Sequence, residues 1–77
     1  MTNESMRIRT KAAKEKYGLV MVRIGETLGC RDKAIMSRWL AGDSNLSDER
    51  LRDLADLLDK FDEGASYLEA FQFKRGK

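Results

Sequence analysis

Apolar residues recur along the chain at intervals of three and four positions, which predicts an all-α fold of four to five short helices. Gly18, Gly29 and Gly42 directly follow the first three helices, where the left-handed backbone that ends many helices favours glycine. No stretch alternates apolar and polar residues as half-buried strands do, and proline is absent. The expected helices cover residues 4–17, 19–28, 33–41, 48–62 and 66–73.

The short helix expected at residues 33–41 has two faces, and Asp32 is its predicted N-cap. The apolar residues share one arc of a helical wheel: Ile35, Met36, Trp39 and Leu40. Small and polar residues share the opposite arc: Ala34, Ser37, Arg38 and Ala41. A helix of this length spans about 12 Å, close to the width of a DNA major groove. Periodicity alone does not distinguish a face that meets water from one that enters a groove.

The helix before it, at residues 19–28, has Gly25 at the edge of its apolar arc, where the missing side chain lets the next helix pack closely. Two helices joined by a tight turn, the second with a polar outer face, resemble a helix-turn-helix at about residues 20–41. Arg23 and Thr27 lie away from the apolar arc. They are either contacts to the DNA backbone or ordinary surface residues.

Capping residues mark the starts of the first and fourth helices, with Asn3 predicted as the N-cap of one and Ser47 of the other. Leu46 and Leu51 form a hydrophobic staple across the second cap, and the apolar arc of helix 48–62 is expected to close the core over Trp39. The opposite face is acidic, and we expect it to be solvated and turned away from DNA. Its acidic residues are Asp53, Asp56 and Asp59.

The formal net charge is only +2, but the charges are segregated along the chain. Residues 1–40 hold nine basic and four acidic residues, residues 41–73 hold three and nine, and residues 74–77 add three positive charges. A basic half next to an acidic half fits a protein that binds phosphates at one end. The first helix is either a solvated basic face or a source of phosphate contacts. Its basic residues are Arg7, Arg9, Lys11, Lys14 and Lys16.

Composition argues against several kinds of site. One cysteine and no histidine leave no intramolecular disulfide, no Cys/His metal site and no catalytic pair, so Cys30 is expected to be a small buried apolar residue. Without a glycine-rich phosphate loop either, we expect no cofactor and no enzymatic activity. No signal sequence and no apolar run of about 18 residues is present, which predicts a cytoplasmic protein with no membrane partner.

Chain length predicts one domain at residues 1–73, followed by a basic tail at residues 74–77. The helix expected at residues 66–73 carries Tyr67, Leu68 and Phe71. These apolar side chains are expected to dock either on the domain or across a subunit boundary.

The chain resembles the lambda-repressor-like helix-turn-helix superfamily in the order of a small residue, an apolar residue before a glycine, an apolar residue after it and a Met-Ser-Arg-Trp run, at Gly25, Leu28-Gly29, Cys30 and residues 36–39. It resembles most closely the phage CII-type transcriptional activators, which share its Asn3, Glu4, Arg7 and Ile8 and its Asp32-Lys33 followed by Ser37-Arg38-Trp39. The similarity covers about residues 3–60. It implies an operator-binding homo-oligomer, a dimer or tetramer, that activates transcription through RNA polymerase. The turn is one residue longer than in the family, at Cys30 or Arg31, so two registers of the second helix remain open.

We therefore expect a sequence-specific, double-stranded DNA-binding regulator encoded by a phage or prophage and acting in a bacterial cell or host. Helix 33–41 would enter the major groove with Trp39 in the core. A Cro-like repressor, or a helical protein-interaction adaptor that does not bind DNA, are the alternatives. The expected DNA-binding residues are Arg31, Lys33, Ala34, Ser37, Arg38, Thr27, Arg23, Lys14 and Lys16.

Overall fold

The computed structural model describes residues 2–32 and 34–64. That part of the chain is all-helical and contains no strand, which confirms the all-α prediction. Its helices are α1 (Asn3–Tyr17), α2 (Met21–Thr27), α3 (Ile35–Ala41) and α4 (Asp48–Asp62). The helix expected at residues 66–73 and the tail at residues 74–77 lie outside the described residues. None of the described helices is long and apolar enough to cross a membrane.

Helix α1 starts one residue earlier than predicted, because Thr2 and not Asn3 is its N-cap. The Thr2 hydroxyl accepts the Ser5 amide proton, and the Ser5 hydroxyl accepts that of Thr2, which forms a capping box. Asn3 instead directs its side chain towards Trp39 and Leu46. At the other end, Gly18 has the left-handed backbone expected of it, with φ of 67°.

Helices α2 and α3 pack against each other across the turn that joins them. A Cβ atom on Gly25 would lie 3.2 Å from Met36 Cγ, so the missing side chain permits the close approach that the sequence predicted. Helix α3 starts at Ile35, later than expected. Asp32 does not cap it in the predicted way, since its carboxylate accepts the amide proton of Ala34, before the first helical residue.

The core lies between all four helices, with α1 packed against α3 and α4. Trp39, Leu54 and Leu57 have no exposed surface, and the Leu46–Leu51 pair predicted as a staple is buried. Helix α4 has the bounds expected from the sequence and buries one apolar face. The buried residues of that face are Leu51, Leu54, Ala55, Leu57, Leu58 and Phe61.

Candidate nucleic-acid interface

The outer face of α3 is exposed, as predicted, while its inner face is anchored in the core. Met36 and Trp39 have no exposed surface, and Ile35 and Leu40 are partly buried. Seven residues give α3 a length of about 10 Å, comparable with the width of a major groove. The outer face consists of Ser37, Arg38 and Ala41, and Ala34 directly precedes the helix; all four residues are exposed.

Asn3 and Arg7 of α1 contact Trp39 on the buried side of α3 and so fix the position of α3. The Trp39 indole Nε1 donates a hydrogen bond of 2.8 Å to Asn3 Oδ1. Arg7 Nε donates to the Trp39 carbonyl at 2.5 Å, and its guanidinium lies 5.6 Å from the indole ring centroid. Arg7 also donates to the Ser44 carbonyl and to Asn45 Oδ1. Arg7 therefore has a structural role within the fold.

Arg9 is also engaged within the fold. Its guanidinium forms salt bridges with Asp59 at 2.7 Å and Asp62 at 2.9 Å. Tyr17 Oη donates to Asp62 Oδ1 at 2.7 Å, and this hydrogen bond, followed by that from Arg9, lowers the pKa of Asp62 below its ordinary value. The same contact raises the pKa of Tyr17. Asp59, on the α4 face expected to be solvated, is thus paired with α1 while its side chain remains 56% exposed.

The three lysines of α1 lie on two different sides of the helix. Lys11 and Lys14 line an open groove together with residues of α2 and α3, and both side chains are exposed. This surface, which we call the α1–α3 groove, joins Lys14 to the outer face of α3 at Ser37. Lys11 was not among the predicted DNA-binding residues. The groove is lined by Lys11, Lys14, Met21, Ser37, Leu40 and Ala41.

Lys16 lies on the other side of α1, towards α4. Its Nζ atom is 5.3 Å from the Tyr17 ring centroid, and its charge contributes to the lowered pKa of Asp62. Lys14 and Lys16 were both predicted to bind DNA, but the structure places them on different sides of α1. Only Lys14 shares a surface with α3.

The other predicted DNA-binding residues lie around the turn. Arg23 is exposed on α2, and the partly buried Thr27 donates its hydroxyl to the Arg23 carbonyl at 2.9 Å. Arg31 is exposed between the two helices, and Lys33 lies outside the described residues. Neither Arg23 nor Thr27 lines the α1–α3 groove.

Asp32 makes a salt bridge with Arg38 on the outer face of α3. Its Oδ2 atom accepts from Arg38 Nη2, and its Oδ1 atom accepts the Ala34 amide proton at 2.9 Å. The hydrogen bond from Arg38, followed by that from Ala34, lowers the pKa of Asp32. Both side chains remain half exposed.

Arg50, at the start of α4, fixes the turn between α2 and α3. Its Nη1 atom donates to the Leu28 carbonyl at 2.6 Å and to Cys30 Sγ at 3.2 Å. Cys30 is half-buried and not fully buried as predicted, and its thiol contacts this guanidinium at the edge of the core. Across residues 2–32 and 34–64, no cluster of acidic or cysteine side chains could hold a metal ion.

Comparison of the chain with protein-family models, with curated proteins and with solved structures found no match.

Proposed function

We propose that this protein is a sequence-specific, double-stranded DNA-binding regulator of transcription. In this proposal α2, the turn and α3 form a helix-turn-helix, and α3 enters the major groove. The observation that carries the proposal is the exposed outer face of α3, which continues into the lysine-bearing α1–α3 groove while Trp39 anchors the opposite side.

The residues of this surface divide into two chemical roles. Arg38 has the planar donor fork that can bond O6 and N7 of a guanine, a contact worth about 1–3 kcal/mol of discrimination. Ser37 and Ala41 are small enough to let α3 approach the base edges. Lys11 and Lys14 would bind DNA phosphates beside the major groove, which adds affinity without sequence preference.

Contacts on the buried side of α3 connect the two sequence motifs on which the family resemblance rests. Asn3 and Arg7 belong to the N-terminal motif that resembles CII-type activators, and both contact Trp39 of the second motif. We therefore propose that the protein is CII-like, of phage or prophage origin, and acts in the cytoplasm as a homo-oligomer that contacts RNA polymerase. A reporter whose expression falls when the protein is made would instead favour a Cro-like repressor.

Selection of bound duplexes from a random pool, followed by titration of the selected and of random duplexes, tests the proposal. Arg38→Ala is expected to reduce the preference for the selected duplex about tenfold while leaving the melting temperature nearly unchanged, because Arg38 is exposed. Arg52→Ala is the matched control, since Arg52 is exposed on α4 and its removal changes the charge equally. Equal effects of the two variants, or no binding to duplex by the unaltered protein, would contradict the proposal.

The salt dependence of binding tests the two groups of lysines. Lys14→Ala is expected to weaken binding to every duplex alike and to reduce the slope of log Kd against log salt by about 1. Lys16→Ala removes the same charge from the α4 side of α1 and is expected to change the slope less. A larger change for Lys16→Ala would exclude the α1–α3 groove as the phosphate-binding surface.

A further inference from the structure

The Asp32–Arg38 salt bridge lies on the surface proposed to read DNA. We infer that Asp32 is a positioning residue that directs Arg38 towards a guanine edge and away from phosphates. This inference rests on the proposed function and concerns the specificity of that same site.

The two oxygens of the Asp32 carboxylate have different partners. Oδ1 is tied to the backbone amide of Ala34, next to the start of α3, and Oδ2 accepts from Arg38 Nη2. The backbone contact fixes the carboxylate, so the carboxylate in turn restricts the guanidinium. Among the described residues, the Arg38 side chain has no other hydrogen-bond or salt-bridge partner than Asp32.

A guanidinium group has two edges that each present a pair of parallel N–H donors. One edge pairs Nε with Nη2, and the other pairs Nη1 with Nη2. A single hydrogen bond to one proton of Nη2 leaves one of these paired edges intact. Arg38 held by Asp32 therefore retains the two donors that O6 and N7 of guanine require.

The charge of Asp32 has a second effect. A carboxylate beside Arg38 partly neutralises the arginine's charge, so Arg38 gains less from contact with a phosphate than it would without this partner. Asp32 is thus expected to weaken binding to random DNA while strengthening discrimination at guanine. Both effects increase the ratio of specific to random binding, and each is lost with the carboxylate charge.

The variant Asp32→Asn tests this inference, because asparagine keeps an oxygen for the Ala34 amide but cannot accept a proton from Arg38 at the other position. Three probes are titrated: the selected duplex, the same duplex with 7-deazaguanine in place of each guanine, and a random duplex. We expect the ratio of random to selected Kd to fall about fivefold. Random-duplex affinity should rise, and the penalty for 7-deazaguanine should shrink.

Asp43→Asn is the matched control, since Asp43 is exposed just beyond α3 and its change adds the same charge. It is expected to raise affinity for all probes without changing their ratio. Combining Asp32→Asn with Arg38→Ala tests whether Asp32 acts through Arg38, because its effect on the ratio should vanish in that background. Circular dichroism of each variant tests whether the fold is retained.

The outcomes separate this inference from the function on which it rests. Failure of the unaltered protein to prefer any duplex overturns the proposed function, and the positioning role with it. A preferred duplex whose ratio is unchanged by Asp32→Asn overturns the positioning role alone. The same holds if the ratio falls equally with and without Arg38, since Asp32 would then act by another route.

Discussion

The side chain of Asn3 joins three parts of the chain. Its Oδ1 atom accepts from Trp39 Nε1 and from the Leu46 backbone amide, both at 2.8 Å, and its Nδ2 atom donates to the Leu46 carbonyl at 3.2 Å. It thereby satisfies the indole of a fully buried tryptophan and fixes the segment that leads into α4. One carboxamide thus connects α1 to the back of α3 and to the start of α4.

Replacing Asn3 with Ala is expected to lower the free energy of unfolding by about 2–4 kcal/mol, because two N–H donors lose their acceptor. Chemical denaturation followed by tryptophan fluorescence measures the change. Asn45→Ala is the control, since exposed Asn45 accepts one hydrogen bond, from Arg7, and should cost about 1 kcal/mol or less. Equal losses in the two variants would show that the Asn3 contacts add little stability.

At the scale of helices, the spacing between α2 and α3 is set by Gly25 and Met36. A Cβ atom on Gly25 would lie 3.2 Å from Met36 Cγ and 3.9 Å from Cys30 Cβ, so even a methyl group requires the Met36 side chain to shift slightly. Met36 has no exposed surface, so it can yield only within the core. The distance between α2 and α3 therefore tolerates only small residues at position 25.

We expect Gly25→Leu to destabilise the fold by about 1–3 kcal/mol through overpacking. Gly25→Ala is the matched control, because the gain in helix propensity of about 1 kcal/mol offsets a small shift of the Met36 side chain. Thermal unfolding of both variants measures the difference. A leucine variant as stable as the alanine variant would mean that α2 and α3 separate without cost.

Helix α4 could be predicted from the sequence because its signals are local. The Ser47 cap and the apolar period lie within or beside the helix, and the observed bounds match the expected ones. The start of α1 could not be settled in this way, since Thr2 and Asn3 are both good caps. The Asn3 side chain does not cap α1 because it accepts a hydrogen bond from Trp39, which is 36 positions away in sequence.

The surface residues show the same limit of local signals. Periodicity was sufficient to predict which face of α3 is exposed. It could not divide the basic residues of α1, because the partners of Arg7 and Arg9 lie 32 to 53 positions further along the chain. Only the packing of α1 against α3 and α4 separates these arginines from Lys11 and Lys14.

Across the whole molecule, the basic and acidic halves of the sequence are not two separate poles. Arg9 of α1 binds Asp59 and Asp62 of α4, so part of the basic charge is neutralised where these helices meet. The α1–α3 groove has Lys11 and Lys14 on its rim. Packing thereby places two exposed basic residues, Lys11 and Lys14, beside α3, which the sequence totals alone do not reveal.

The contact between α1 and α4 also makes stability depend on pH in a defined direction. The contacts that lower the pKa of Asp62 stabilise the fold above about pH 4, and this contribution is lost as pH falls through the folded-state pKa. The hydrogen bond that raises the pKa of Tyr17 stabilises the fold below about pH 10, and this contribution is lost as pH rises through the folded-state pKa. Denaturation at a series of pH values should therefore show a flatter acid limb for Asp62→Asn and, to a lesser extent, for Tyr17→Phe, because Asp62 keeps its contact with Arg9 in the second variant. Both variants should flatten the alkaline limb, because each removes the charged Tyr17–Asp62 hydrogen bond. The lowered pKa of Asp32 preserves part of the acid limb in both variants. Asp56→Asn, on the exposed face of α4, should preserve both limbs. Unchanged limbs in the first two variants would mean that these contacts do not persist in solution.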